Sequence, residues 1–177
     1  MLQSPGDRGG GRLLAGPLTL RCALGPAGIV TRKREGDGAT PRADLPLRRV
    51  WRRADRGPRP ATALAVRTTR PDDGWCDAPE SPCYNRPVRS PFRASHERMW
   101  REDGLYDLVV ELGWNDRPPR PGRGSAIFMH AARPGFAPTA GCVALAPAAL
   151  RRLIARLGPQ TLLRIGPRPR KLRRDRA

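Results

Sequence analysis

Two residues in the stretch SAIFMHAARPGFAPTAGCVAL, His130 and Cys142, are able to carry out nucleophilic chemistry together. A cysteine attacks a carbonyl carbon as its thiolate, and the thiol needs a neighbour such as an imidazolium to lower its pKa toward neutrality. The two residues are twelve positions apart, and the prolines and glycine of the intervening segment RPGFAP interrupt helices and strands. We therefore expect a loop that folds back and brings the imidazole near the thiol.

Gly141 directly precedes the cysteine. Because glycine lacks a Cβ, the backbone can turn sharply there, and the amides of Gly141 and Cys142 can point toward the oxyanion that develops during attack on a carbonyl. The spacing alone leaves a second interpretation open, in which a single cysteine and a single histidine are inert residues of a core-lining loop.

The elements that must position this loop flank it on both sides. The apolar run 126–129 before His130 and the run 143–145 after Cys142 both have the pattern of buried strands. Beyond the second run, apolar residues recur at i, i+3, i+4 and i+7, with arginines on the other face and proline and glycine at the ends. This pattern predicts one amphipathic helix at about 147–157 that packs on a sheet through Leu150, Leu153, Ile154 and Leu157.

Other short segments indicate a mainly β fold with a few helices. Alternation at period two predicts a strand over 18–24 with Cys22 in the core. The segment RASHERMWRED at 93–103 is compatible with a short helix that has Ser95 as its N-cap and His96 at its surface. Further strands are expected at 62–68, 106–112 and 161–165.

Composition divides the chain into three parts. The glycine-rich residues 1–12 are expected to be a flexible N-terminal segment, and residues 13–166 are expected to fold as one domain. Residues 167–177 form a basic C-terminal tail that has too few apolar side chains to fold.

The chain of 177 residues carries a formal net charge of +18, which favours polyanions. A basic polyanion-binding protein without catalytic activity is therefore an alternative. Aromatic residues make up only 5% of the chain, so few side chains could stack on bases and a nucleic-acid partner is not favoured. Salt distinguishes the two classes, because polyanion binding weakens steeply with ionic strength and acyl transfer by Cys142 should not.

The four cysteines do not form a metal-binding pattern, because even the nearest two, Cys76 and Cys83, lack the short spacing of zinc ligands. These two residues could instead close a disulfide in an oxidising compartment. No apolar run is long enough for a transmembrane segment, and the N-terminus has no recognisable signal peptide.

The region around the histidine and the cysteine resembles the active-site stretch of the L,D-transpeptidases (YkuD-like domains), in which a strand ends in His-Gly and a Ser/Thr-x-Gly-Cys turn follows. Here the two motifs read His130-Ala131 and Thr139-Ala140-Gly141-Cys142. The segment KREGDGATPRADLPLRRV is similar to the family's Lys…Thr-Pro-x-Gly-x-Phe segment, with Lys33, Thr40 and Pro41 in place and with Ala43 and Leu45 at the Gly and Phe positions. The middle of the chain resembles a proteobacterial branch of the family, and the resemblance covers most of residues 18–166.

The resemblance implies an L,D-transpeptidase-type fold, a β-sandwich or mixed sheet, with its catalytic domain at 13–166. It also implies roles for four residues, with no cofactor and no metal. Cys142 would be the nucleophile and His130 the proton donor and acceptor. The amide of Gly141 would contact the oxyanion, and the backbone carbonyl of Ala131 would orient the imidazole.

The implied reaction is acyl transfer on peptidoglycan stem peptides during cell-wall biogenesis, in which an acyl-enzyme on Cys142 is attacked by an acceptor amine. Attack by water would instead make the protein an L,D-carboxypeptidase. Thr139 and Arg133 are candidate substrate contacts, because stem peptides carry carboxylates that arginine binds well. The substrate implies the periplasm or cell envelope, whereas the lack of a recognisable signal peptide leaves the cytoplasm open.

Overall fold

Short strands joined by long loops make up most of the chain. The computed structural model describes residues 2–3 and 9–166. These residues form one helix, α1 (Pro147–Ile154), and the strands β1 (Leu2–Gln3), β2 (Gly10–Ala15), β3 (Leu18–Ala23), β4 (Ile29–Val30), β5 (Thr40–Pro41), β6 (Ala43–Arg52), β7 (Val66–Thr68), β8 (Asp73–Cys76), β9 (Pro87–Arg89), β10 (His96–Arg98), β11 (Leu108–Leu112), β12 (Phe128–Ala131), β13 (Val143–Leu145) and β14 (Leu162–Ile165).

Most of the described strands belong to one mixed sheet. Its order is β1-β2-β3-β13-β12-β11-β6-β14, and β7 pairs with β6. The pairs β12–β13 and β6–β7 are parallel, and the other neighbours are antiparallel. A smaller sheet has the order β10-β8-β9, and β4 and β5 form a separate parallel pair. The prediction of a mainly β fold with a mixed sheet is confirmed.

The parallel pairing of β12 with β13 explains how residues twelve positions apart come together. A chain that leaves the end of one strand must run back along the sheet before it can begin a parallel neighbour. In the register, Met129 lies opposite Val143 and His130 lies opposite Ala144. Cys142, one residue before β13, therefore returns to the level of the start of β12.

One face of the large sheet packs against α1. Met129, Val143 and Leu145 belong to this cluster, together with the helix side chains Leu150, Leu153 and Ile154. Full burial of one such side chain stabilises a fold by about 1.5–3 kcal/mol. A helix of this length is not stable by itself, so α1 is stabilised by the packing of its apolar face on the sheet. Leu157 is buried as expected, although α1 ends at Ile154 and the last turn is not helical.

The side chains that alternate with these along the strands point to the opposite face, which is covered by the smaller sheet. Phe128 and Cys142 lie on this face, in a cluster with Trp51, Trp75 and Tyr106. The Trp75 ring is perpendicular to that of Phe128, with ring centroids 5.1 Å apart. Edge-to-face contacts of this kind fix ring orientation, so the smaller sheet is anchored directly above the start of β12.

The predicted helix at 93–103 is wrong, because this segment contains strand β10. It pairs antiparallel with β8, with His96 opposite Cys76 and Glu97 opposite Trp75. Met99 is fully buried in the cluster beneath the smaller sheet. Tertiary pairing and the burial of alternate side chains thus override a local sequence that is compatible with a helix.

Two other sequence predictions differ in extent. The strand expected over 62–68 is shorter, since β7 covers only Val66–Thr68. At the N-terminus, residues 10–12 lie in β2 rather than in the expected flexible segment, and they pair with β3. The predicted basic tail, 167–177, lies outside the described residues.

Across residues 2–3 and 9–166, no helix has the length and apolar character needed to cross a membrane.

Candidate active site

Cys142 is the last residue of the loop that joins β12 to β13, and its side chain is buried. The thiol donates a hydrogen bond to the carbonyl oxygen of Ala126 at 3.2 Å and accepts one from the Phe128 amide at 3.4 Å. Both partners belong to the chain just before and at the start of β12. The nucleophile candidate is therefore held by the backbone beside it.

The turn that carries Cys142 is closed by Thr139 and requires glycine at position 141. The Thr139 hydroxyl donates to the carbonyl of Cys142 at 2.7 Å and accepts from the Gly141 amide at 3.1 Å. Gly141 has a φ of 133°, and a Cβ there would lie 2.6 Å from the carbonyl oxygen of Ala39. A larger residue would meet both backbone strain and a backbone clash.

Gly141 and Thr139 make contacts that differ from those the sequence predicts for them. The Gly141 amide, expected at the oxyanion, donates instead to the Thr139 hydroxyl. The amide of Cys142 has no hydrogen-bond partner among the described residues. Thr139, expected at the substrate, acts here as a support of the turn, although it also lines the cavity beside the cysteine.

His130 is buried in β12, and its ring is fixed by a neighbouring carbonyl. Nδ1 lies 2.8 Å from the carbonyl oxygen of Ala131. A carbonyl oxygen only accepts, so Nδ1 carries the proton of the neutral ring and Nε2 keeps its lone pair. The ring also packs edge-on against Tyr106, with centroids 5.1 Å apart. The imidazole thus has a defined orientation and a defined tautomer.

Cys142 and His130 line the same cavity, which has a volume of about 460 Å³. Cys142 and Ala144 are two residues apart, as are Phe128 and His130, so all four belong to one face of the β12–β13 pair. The cavity can therefore present a substrate carbonyl to a thiol and an imidazole at once.

Burial keeps both groups in their neutral forms. Burial raises the pKa of the Cys142 thiol to about 12, and the nearby Glu97 carboxylate adds to this effect. Burial lowers the pKa of His130 to about 4, against the opposing effect of the Ala131 hydrogen bond. The two directions are opposite to those of a thiolate–imidazolium pair. In the resting structure the pKa directions thus differ from the expectation that an imidazolium lowers the thiol pKa.

Charged and aromatic side chains form one part of the cavity wall, namely Glu97, Arg101 and Tyr106. The Tyr106 hydroxyl donates to Glu97 at 2.6 Å, and the Arg101 guanidinium lies 3.8 Å from the same carboxylate. Burial raises the pKa of Glu97, although the Tyr106 hydrogen bond and Arg101 act in the other direction. Arg101 also pairs with Asp103 at 2.5 Å. The wall thus holds an acid close to the thiol.

The segment KREGDGATP packs beside the nucleophile turn. The Lys33 ammonium is buried and binds Asp37 at 2.6 Å, and Lys33 lines the cavity. The Thr40 hydroxyl is also buried and accepts from the Gly25 amide at 2.9 Å. Ala39, between these residues, is the one whose carbonyl approaches Gly141. This second motif therefore braces the turn that carries the cysteine.

The remaining predicted residues are divided between the cavity and the rest of the surface. Arg133 lines the cavity and is exposed. His96 is bound to Ser90 and to the Ala94 carbonyl and is not among the cavity residues. Cys76 and Cys83 are free thiols. In the described part of the chain, no group of three or more histidine, cysteine or acidic side chains is arranged to hold a metal ion.

Sequence reasoning missed three residues near the site, namely Asn85, Glu97 and Tyr106. The residues 95–99, SHERM, show no apolar alternation that would place Glu97 at the cavity. Tyr106 precedes β11 and has no local signal of its function. Asn85 lies in an irregular loop, where nothing in the sequence indicates its four contacts.

Comparison with known families gives one match. The family model described as YkuD, the L,D-transpeptidase catalytic domain, matches residues 8–165. Comparisons with curated proteins and with solved structures give no significant match. The family match includes β2 through β14, and so it contains both the cavity and the second motif beside it.

Proposed function

Because the chain belongs to the family of L,D-transpeptidase catalytic domains, we propose that it transfers acyl groups of peptidoglycan stem peptides through Cys142. The observation that supports this proposal is the shared cavity, which is lined both by the thiol and by an imidazole whose Nδ1 is bound to Ala131. That arrangement leaves Nε2 free to accept a proton, which is what a neutral thiol nucleophile needs.

In the first half of the reaction, Sγ of Cys142 bonds to the carbonyl carbon of the stem peptide while its proton passes to Nε2 of His130. The carbon–nitrogen bond of the tetrahedral intermediate then breaks, and His130 gives the proton to the departing D-alanine amine. The products are free D-alanine and a thioester on Cys142. Because both groups start neutral, the proton transfer accompanies the attack rather than preceding it.

The oxyanion formed on the way needs a hydrogen-bond donor. We assign this contact to the Cys142 amide, since it lacks another partner among the described residues and the Gly141 amide is bound by Thr139. Gly141 then contributes through its backbone conformation and Thr139 by holding the turn closed.

In the second half, an acceptor attacks the thioester carbon and loses a proton to His130. The carbon–sulfur bond then breaks, and His130 returns the proton to the sulfur, which restores the thiol and the neutral imidazole. An amine acceptor from another stem gives a cross-link, which is transpeptidation. Water gives a shortened stem with a free carboxylate, which is L,D-carboxypeptidase activity. The chemistry on Cys142 is the same for both acceptors, so both outcomes belong to one proposed mechanism.

The proposed substrate is anionic and belongs to the cell envelope. Arg133 is exposed at the cavity and is suited to binding a stem carboxylate. A substrate of this kind places the activity in the cell envelope, where it would serve cell-wall biogenesis and organisation.

The test is to incubate the purified protein with a disaccharide-tetrapeptide and to identify the products by mass. We expect release of D-alanine together with either a cross-linked dimer or a disaccharide-tripeptide. Cys142→Ala, which keeps a small side chain in the same place, is the matched control and should yield neither product. Unchanged substrate with the wild-type protein under conditions where it is folded would contradict the proposal.

A further inference from the structure

We propose that Asn85 is a positioning residue, which sets the orientation of the Cys142 thiol through the backbone of Ala126. This inference rests on the proposed role of Cys142 as the nucleophile. It concerns a residue outside the cavity, since Asn85 is not among those that line it, whereas Ala126 and Cys142 are. Asn85 therefore acts on the thiol through another residue and not by contact with substrate.

The side-chain amide of Asn85 is buried and is fully used by four hydrogen bonds. Its Oδ1 accepts from the indole of Trp75 at 2.9 Å and from the Ala126 amide at 3.1 Å. Its Nδ2 donates to the carbonyl oxygens of Trp114 at 2.9 Å and Asn115 at 2.8 Å. Asn85 thus connects the smaller sheet, the loop after β11 and Ala126, which lies two residues before β12.

Ala126 is held in an unusual backbone conformation by these contacts. Its φ is 50°, in the left-handed region that residues with a Cβ rarely adopt. The region is narrow, so a residue held there through its amide also has its carbonyl direction fixed. That carbonyl accepts the hydrogen bond from the Cys142 thiol. The direction of the thiol therefore depends on the contact between Asn85 and Ala126.

Loss of this contact should affect the thiol in two measurable ways. A hydrogen bond donated by the thiol stabilises its protonated form, and its loss makes thiolate formation and alkylation easier. The same loss lets Sγ rotate away from the position in which it can attack, and a small displacement of a nucleophile lowers turnover strongly. Easier alkylation together with slower turnover is the expected signature.

The experiment compares Asn85→Gly with Asn115→Gly. Both asparagines have positive φ, at 55° and 47°, so glycine keeps the backbone conformation in each case. The Asn115 side chain also binds loop backbone, but its hydrogen bonds are to Arg120 and Gly124 and not to Ala126. Alkylation by iodoacetamide at pH 8 is followed for each cysteine by peptide mass, and turnover is measured with the disaccharide-tetrapeptide.

We expect alkylation of Cys142 to be about three- to tenfold faster in Asn85→Gly than in Asn115→Gly. The turnover number should fall by about ten- to a hundredfold, with KM unchanged because Asn85 does not line the cavity. Cys22 and Cys76, both fully buried, should stay unreactive and so report that the protein is folded. Equal Cys142 rates in the two variants, or alkylation of Cys22 and Cys76 in step with Cys142, would overturn the proposal.

A second variant covers the case in which Asn85→Gly does not fold. Asn85→Asp keeps an acceptor for Ala126 and Trp75, while it replaces the two donors with an acceptor oxygen and adds a buried negative charge, both of which should lower stability. Its Cys142 should be alkylated at a rate within about twofold of wild type, even if the melting temperature falls. Fast alkylation in this variant with Cys22 still protected would overturn the role of Oδ1. The alkylation results do not need turnover, so they decide the positioning role even if no stem peptide is a substrate.

Discussion

The Cys142 thiol donates its hydrogen to the carbonyl oxygen of Ala126 at 3.2 Å rather than to the imidazole of His130. The imidazole in turn is bound to the carbonyl oxygen of Ala131. Each member of the pair is thus anchored to backbone, and both are neutral in the resting structure. The thiol proton of Cys142 therefore has to move to His130 after substrate has bound. The pH dependence of activity then follows the pKa values of these two neutral groups.

The first prediction concerns activity at acid pH. Since burial lowers the pKa of His130 to about 4, the ring remains a base well below its ordinary value of 6.5. We expect kcat/KM to hold its plateau from neutral pH down to about pH 5 and to fall only as the pH approaches 4. A pH–rate profile measures this. An acid limb near 6.5 would show that His130 is not the base or is not buried during catalysis.

The same group makes stability depend on pH. The folded pKa is below the unfolded value, so the unfolded chain binds more protons and stability rises with pH between about 4 and 6.5. The contribution across this window is on the order of 3 kcal/mol. In His130→Gln this part of the dependence should vanish, which urea melts at several pH values would detect.

A second prediction concerns Glu97. Its carboxylate raises the pKa of the Cys142 thiol, so Glu97→Gln should lower that pKa, while the amide oxygen can still accept from Tyr106. The pH profile of Cys142 alkylation should therefore move to lower pH. Glu102→Gln is the control, because that carboxylate is exposed and does not line the cavity. A profile that moves equally in both variants would exclude a specific effect of Glu97.

Parts of this site could be predicted from the sequence because they depend on local signals. Pro-Gly punctuation predicts the loop before Cys142, and apolar alternation predicts the strands on either side. The apolar face of α1 follows from periodicity in the same way. The contact between His130 and the Ala131 carbonyl involves adjacent residues, and the resemblance to the L,D-transpeptidases is enough to predict it.

The remaining parts depend on the tertiary fold and give no local signal. The segment RASHERMWRED is compatible with a helix, and only its pairing with β8 makes it a strand. Asn85 and Ala126 are 41 positions apart and meet because Trp75 and the loop after β11 converge on one amide. The pKa of Cys142 depends on burial under the smaller sheet, which spacing along the chain does not indicate.

A third prediction concerns Gly141. Gly141→Ala combines backbone strain at a φ of 133° with a Cβ placed 2.6 Å from the Ala39 carbonyl oxygen. We expect a loss of unfolding free energy of at least about 2 kcal/mol and a fall in turnover of about a hundredfold. Gly122→Ala is the matched control, since Gly122 has a φ of 72° but nothing within 4 Å of its added Cβ. It should cost only about 1 kcal/mol, and equal losses in thermal melts would refute the packing argument.

The last prediction separates catalysis from packing at the two central residues. Cys142→Ser and His130→Gln should each reduce turnover by roughly a thousandfold or more while the protein stays folded at neutral pH. A serine hydroxyl can donate to the Ala126 carbonyl and accept from the Phe128 amide as the thiol does, so it leaves no buried polar group without a partner. The melting temperature of Cys142→Ser should therefore stay near that of the wild type.

His96→Gln provides the comparison for the histidine. His96 is bound to Ser90 and Ala94 outside the cavity, and its loss should leave most of the turnover intact. Thermal melts and a stem-peptide assay on the three variants give the answer together. If Cys142→Ser turns over at a rate comparable to the wild type, the thiol is not the nucleophile. A His96 variant as inactive as the His130 variant would remove the assignment of His130 as the base, because both changes would then act through the fold.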